Sequence, residues 1–587
     1  MNASPKNKTL HILAMLATLT FTGQTSVSQE QTEPVPLVTE GDAATNTKNT
    51  ISTESNENIS IGALGEIDVE SIGLLDEQSG GFGTNMWEGS ERGQIEDLLS
   101  SLPTHVRSPA AHELIKTLLL STATAPTKDN ESSSLLRTRL SVLADLGEFE
   151  SFLELLATVP ESARTGEIKR LTANVFLLMG DTKKACELTL SQVREADSLY
   201  WQKALFVCQL TNGETSAAAL SLNLLREQLS ESDAAFIELG GVSLSEVNNM
   251  TAKLAPSALN LTLLLGTDVR IPDHWLSEAG PAIQRAIAES ETLPLTTRLV
   301  ASENAASMGA LDAVEVGQLY RRIVFTREEL GDAIAVAQDK GGSWGRALLH
   351  QASRQQQTPG ERVSFWLASW GNSLLTGNAM LAALVNTESL RTLPVSDQIA
   401  YAAPQIIRAL MTIGDSEALQ GWLNFLGESA EMDTEFERKL ASLMPVIVIS
   451  KIDDGHSWHP QMVERWWEAS MGNANILEHT KQADRLFMVL DALGHSVGRK
   501  GWNLLLSGSN LVSATVPSVG IRYSMQDAAR SKQIGRTVLF ALLAMGEGGP
   551  AEASPLALGS VLRSLRHVGL DHYARALALE AVIENGM

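Results

Sequence analysis

The sequence predicts an all-α protein, an α-solenoid of antiparallel helix hairpins with irregular repeats, preceded by a signal peptide and a disordered acidic linker. Three observations carry this expectation. Apolar residues recur at helix spacing, as in Ile95, Leu98, Leu99 and Leu102 before the stop at Pro103. Helix-start chemistry returns along the chain, as in Ser108 before Pro109 and Ser554 before Pro555, and capping-box spacing joins Thr326 to Glu329, Thr358 to Glu361 and Thr434 to Glu437. Sustained period-two alternation is scarce, with valine and isoleucine scattered through leucine-alanine stretches rather than gathered into strands.

The 587 residues are 44% apolar, enough for one very large core or several ordinary ones. Acidic residues outnumber basic ones, 69 to 45, for a formal charge of -24. That balance disfavours nucleic acid or an anionic membrane as the main partner.

Taken from the N-terminus, Lys6 and Lys8 precede an apolar run from Leu10 to Gly23 and the small triplet Ser26, Val27, Ser28. This layout predicts a secretory signal peptide over residues 1–28, too short in its apolar part to span a bilayer. The first cysteine is Cys186, so no lipoprotein cysteine stands at the cleavage site, and the expected location is periplasmic or secreted. Later apolar runs such as Leu259 to Leu265 and Leu443 to Ile449 are also short, so no integral membrane segment is expected after cleavage.

Residues 29–60 lack any aromatic and read as a disordered acidic linker. Between Gln29 and Ser100 there are 15 acidic residues against Lys48 and Arg92, so over half of the chain's excess charge sits there. Residues 61–90 differ: Ile61, Leu64, Leu74, Leu75, Phe82 and Trp87 interleave with acidic residues and glycine. Two readings stand, a segment that caps the first helices and one that docks on a partner. Helical hairpins are expected from there, over residues 91–250, 251–451 and 452–587.

Gly147, Gly180 and Gly213 follow one another at 33-residue intervals, each between two helical patterns. Gly180-Asp181 and Gly213-Glu214 have an alanine five residues after the glycine, Ala185 and Ala218, and Phe176 lies four before Gly180. Over about residues 131–230 the chain thus resembles the tetratricopeptide repeat, with Phe152 where the first unit's alanine belongs. That resemblance implies helical hairpins and a scaffold role, and it carries over no binding residues. Later glycine turns at Gly414, Gly494 and Gly569 are spaced by 80 and 75 residues, so the later hairpins are expected to be irregular.

Cys186 and Cys208 lie symmetrically about position 197, the break between two helices, so an antiparallel hairpin brings them level. Two readings are a structural disulfide, which an oxidising compartment permits, and a pair of buried thiols. Without Cys-x-x-Cys spacing a catalytic role is disfavoured.

Asp453, Asp454, His456, His459 and Glu464 could ligate a metal, but His-x-x-His in a loop is equally the composition of a helix-leading turn. No metal and no cofactor are expected. Trp366 with Trp370, and Trp466 with Trp467, fit either core between hairpins or an exposed platform in a groove. The phosphate-cradling Gly-x-x-x-x-Gly-Lys and the zinc-protease His-Glu-x-x-His are absent, and no serine-hydrolase elbow is expected. Gly80, Gly81 and Gly83 read as a flexible turn.

Helical superhelices also support lytic transglycosylases, but the Gly-Leu-Met-Gln segment of those enzymes has only Tyr523-Ser524-Met525-Gln526 as an echo. The expected function is therefore an exported scaffold or adaptor for another envelope or secreted protein, without evident catalytic chemistry. The alternative is a helical protein that binds or acts on glycan or peptidoglycan, its acid and base supplied by separated loops.

Overall fold

A computed structural model describes residues 68–127, 134–195, 198–228, 230, 233–245, 253–451, 457–472, 475–506 and 518–587, which all belong to one unit over residues 67–587. The signal-peptide and linker segments, and with them Ile61 and Leu64, lie outside the described residues. The protein is all-α: 31 α-helices and no β-strand occur among the described residues. One isolated bridge, between Leu75 and Ser121, is the only extended pairing among them.

Capping explains where the helices start. The Ser108 hydroxyl accepts the Ala111 N–H at 3.0 Å, with Pro109 in the first turn where its missing donor costs nothing. Thr326 and Glu329 form both legs of a capping box, at 3.1 and 2.9 Å. Thr358 accepts from the Glu361 N–H, and Ser554 from the Ala557 N–H. The expected box at Thr434 does not form. Asp433 is the cap there, its carboxylate accepting the Glu435 N–H at 2.8 Å while the Glu437 N–H goes to the Asp433 carbonyl at 3.1 Å, so Thr434 is already the first helical residue.

Helix ends are equally regular. Gly147, Gly180, Gly213, Gly414, Gly494 and Gly569 all have positive φ, between 73° and 93°. Each closes its helix with a Schellman pair of bonds, as in Gly147 N–H to the Ala144 carbonyl at 3.2 Å and Glu148 N–H to the Leu143 carbonyl at 3.0 Å. Gly309 and Lys532 make the same turn, the latter at φ 58° without glycine's freedom. Helices joined by such short turns pack against each other, as Gly166–Leu178 does on Thr182–Val193 and Leu199–Thr211 on Thr215–Gln228.

Thr182–Val193 and Leu199–Thr211 are also neighbours, and the Cys186 and Cys208 sulfurs are bonded between them at 2.09 Å, with Cα atoms 5.5 Å apart. Both of the chain's cysteines are thereby used.

The early and late helices of this unit meet. Pro109–Leu120 packs on Asp571–Ile583 and on Ile534–Met545, and the Tyr573 hydroxyl lies 2.8 Å from that of Thr117. The Gly535 N–H donates to the Met86 carbonyl at 3.0 Å, and a Cβ at Gly535 would lie 2.4 Å from the Trp87 ring, so only glycine lets these segments close. The largest apolar core accordingly joins side chains from Phe82 to Val175 with others from Val363 to Met587, while a second runs mainly from Ala173 to Tyr320. Neither core divides at residue 250 or 451.

Candidate functional site

The segment after residue 67 is consumed by its own chain. Leu74 and Leu75 are half-buried against the main core, and both their N–H groups donate to the Leu120 carbonyl, at 2.7 and 3.0 Å. Phe82 and Trp87 are buried, with the Phe82 ring edge-on to Tyr573 at 5.8 Å. Buried Arg139 reaches across to the Ile72 and Leu119 carbonyls at 2.7 and 2.8 Å, and burial pushes its pKa down to about 10 despite Glu70. Leu74, Leu75, Phe82 and Trp87 thus pack against their own chain.

The tryptophan pairs are core as well. Trp366 and Trp370 are 2% and 4% exposed with centroids 5.6 Å apart, and Trp466 and Trp467 enclose His479 at 5.2 and 4.5 Å. Of the histidine-carboxylate group, Asp453, Asp454 and His456 lie outside the described residues, His459 is exposed and Glu464 faces Lys500 at 3.4 Å.

The Gly-x-Ser-x-Gly spacing of a hydrolase elbow does occur in the sequence, as Gly341-Gly342-Ser343-Trp344-Gly345. Its context differs from an elbow: no strand precedes it among the described residues, and Ser343 lies in the first turn of Gly342–Gln355. The Ser343 hydroxyl donates to buried Glu303 at 2.6 Å, and Glu303 also takes the Arg346 guanidinium and the Tyr320 hydroxyl. Burial, then the adjoining Glu303, push the Tyr320 pKa well up, so this group is a closed polar knot within the helices and offers no free nucleophile.

The open site lies where distant parts of the chain converge. A cavity of about 770 Å³ is lined by residues between 107 and 116, 148 and 150, 285 and 315, 375 and 384, 548 and 552, and 580 and 584. The last helix supplies Glu580, and Glu584 follows one turn on, so both project from one face. Glu580 accepts the Ala110 N–H at 3.2 Å, the first free donor of Pro109–Leu120. Glu584 accepts the Ala379 and Met380 N–H groups at 3.0 and 2.8 Å, at the start of Ala379–Val385. Each carboxyl thus fills the exposed donors of a helix far away in sequence. Burial is the main influence on both. It pushes Glu580 up to about 8, against hydrogen bonds from Ser108 and Ala110, and it also raises Glu584.

Across the cleft, Glu148 has the opposite fate. Burial alone would raise it, but His112 Nε2 and Lys116 Nζ, both at 2.9 Å, outweigh that and hold it at about 2. Arg285 clasps Glu150 through two bonds of 2.7 and 2.8 Å and also reaches the Gly147 carbonyl at 2.7 Å. At the rim, Asp312 caps the Val314 N–H at 2.7 Å, and Glu315 is raised by partial burial and then by Glu289. The lining carries seven carboxyls against Arg107, Lys116 and Arg285, beside apolar Leu311, Met380, Leu381 and Leu384. Leu375 at the mouth is 86% exposed.

No family model, curated protein or solved structure matches the chain. The sequence reading missed this site because its walls come from the whole length between Arg107 and Glu584. One local signal was present: Glu580 is a lone carboxyl in the apolar run Leu577-Ala578-Leu579-Glu580-Ala581-Val582.

Proposed function

We propose that the protein is an exported helical scaffold that works by seating a segment of another envelope or secreted protein in the acidic cleft. The observation that carries this reading is the cleft itself, an opening of about 770 Å³ whose walls are helix ends braced by Glu148, Glu580 and Glu584. Its volume falls in the range of pockets that enclose ligands. Export is supported by the signal-peptide layout of residues 1–28 and by the Cys186–Cys208 bond, which persists in oxidising compartments. The tetratricopeptide-like turns at Gly147, Gly180 and Gly213 support the scaffold role.

A cleft-filling change, Ala313→Trp, tests the reading. Cross-linking in the native envelope followed by capture is expected to recover one stoichiometric partner with the wild type and to lose it with the variant. Equal recovery from both removes the cleft as the seat.

A second reading, action on glycan, is favoured by two carboxyls of one cleft held in opposite protonation states, Glu580 near 8 and Glu148 near 2. It predicts that peptidoglycan or polysaccharide releases product with the wild type and not with Glu580→Gln. Absence of product and of binding removes it.

A further inference from the structure

The cations of the cleft are mostly spent before any ligand arrives. Lys116 is held by Glu148, and Arg285 by Glu150 and by Glu289 at 2.8 Å. The carboxylates are not spent to the same degree. Glu315 stands exposed with no side-chain partner among the described residues, in the field of Glu289, Asp312 and Glu150 with only Arg285 opposing. Glu552, also exposed and on the lining, adds to the surplus. Beside these charges the wall is apolar, and Leu375 projects into solvent at the mouth. Arg107 is the cation of the lining that has no carboxylate partner among the described residues, and its donors suit main-chain carbonyls.

We propose that the cleft recognises a basic, apolar-flanked peptide segment of its partner, a lysine or arginine seating against Glu315 and Glu552 while a neighbouring apolar side chain covers Leu375. This rests on the scaffold reading and names the class of segment. The physical argument is complementarity. A carboxylate crowded by like charges gains more from a cation than an isolated one does, and the apolar wall rewards a bulky neighbour whose burial adds roughly 25 cal/mol per Å². An acidic segment meets the same surplus as repulsion, with Arg107 alone in its favour.

The test uses the full chain and fluorescence anisotropy with three labelled peptides of alternating residues: lysine with leucine, glutamate with leucine, and lysine with serine. The lysine-leucine peptide is expected to bind with saturation and to weaken at high salt. Glu315→Gln combined with Glu552→Gln is expected to weaken it about tenfold or more, whereas Glu428→Gln combined with Glu431→Gln, an equal charge change on the exposed part of Ser416–Ala430 and at its end, leaves it within about twofold. Leu375→Ser is expected to weaken the lysine-leucine peptide and leave the weaker lysine-serine peptide unaffected. Binding of the glutamate peptide as tightly as the lysine one, or equal losses from the two charge-matched pairs of substitutions, overturns the proposal. Capture of a partner that is lost with Ala313→Trp but unchanged by Glu315→Gln with Glu552→Gln retains the scaffold reading and overturns the basic segment alone.

Discussion

The turn at Gly147 and those at Gly180 and Gly213 share spacing, positive φ and the same pair of closing bonds, yet they live in different surroundings. A Cβ at Gly180 or Gly213 would meet nothing within 4 Å. At Gly147 it would meet the Ala310 Cβ at 3.2 Å and the Ala282 Cα at 3.3 Å. The residue after each glycine diverges too. Asp181 is a solvent-facing cap for the Lys184 N–H, whereas Glu148 is drawn into the cleft wall by His112 and Lys116. The same local grammar therefore makes a free turn in one place and a wall of the candidate site in another. Turn geometry is a local equilibrium, and the energy of the turn's neighbours is not.

That contrast can be sharpened first through charge, since the cleft wall carries buried carboxyls and the free turns do not. Glu580 binds its proton more tightly when folded, at about 8 against an ordinary 4.5, so its contribution to stability is full below 4.5 and is lost as pH rises toward 8. Glu148 runs the other way, holding its contribution above 4.5 and losing it as pH falls toward 2. Glu580→Gln is expected to flatten the decline between pH 4.5 and 8 in urea titrations, by as much as about 5 kcal/mol, an upper figure from the shift alone. An unchanged pH profile would separate Glu580 from the stability of the cleft.

Next in size, Gly147→Ala is expected to cost about 3 kcal/mol, combining a positive φ with contact against Ala282 and Ala310. Removing the disulfide by Cys186→Ala with Cys208→Ala is expected to cost about 2 to 3 kcal/mol, seen as faster hydrogen exchange in Thr182–Val193 and Leu199–Thr211 while the cleft wall keeps its protection. The smallest effects belong to Gly180→Ala and Gly213→Ala, about 1 kcal/mol each for φ alone. Equal losses at all three glycines would break the comparison.

Most of the helical grammar was legible because it is local. Ser108, Thr326, Thr358 and Ser554 cap the helices they precede, and six glycines close theirs. Reading faltered where two residues compete for one task or where geometry outruns composition. Asp433 took the cap from Thr434, and Lys532 adopts a left-handed turn that a search for glycine passes over. Ser343 shows the converse, a motif spacing whose hydroxyl is committed to Glu303. The core role of Trp366 and Trp370 was one of two readings that helix spacing allowed, and burial among neighbouring helices selected it.

By itself the sequence determined the helices, their punctuation and the level placement of Cys186 with Cys208, because each follows from hydrogen bonds and spacing within a few turns of chain. Tertiary structure alone decided that Pro109–Leu120 meets Asp571–Ile583, that Glu580 loses its water, and that a cleft opens between them and Pro281–Glu289. Those outcomes depend on which apolar faces find each other across hundreds of residues, and a carboxyl's proton affinity is set by the neighbours so acquired.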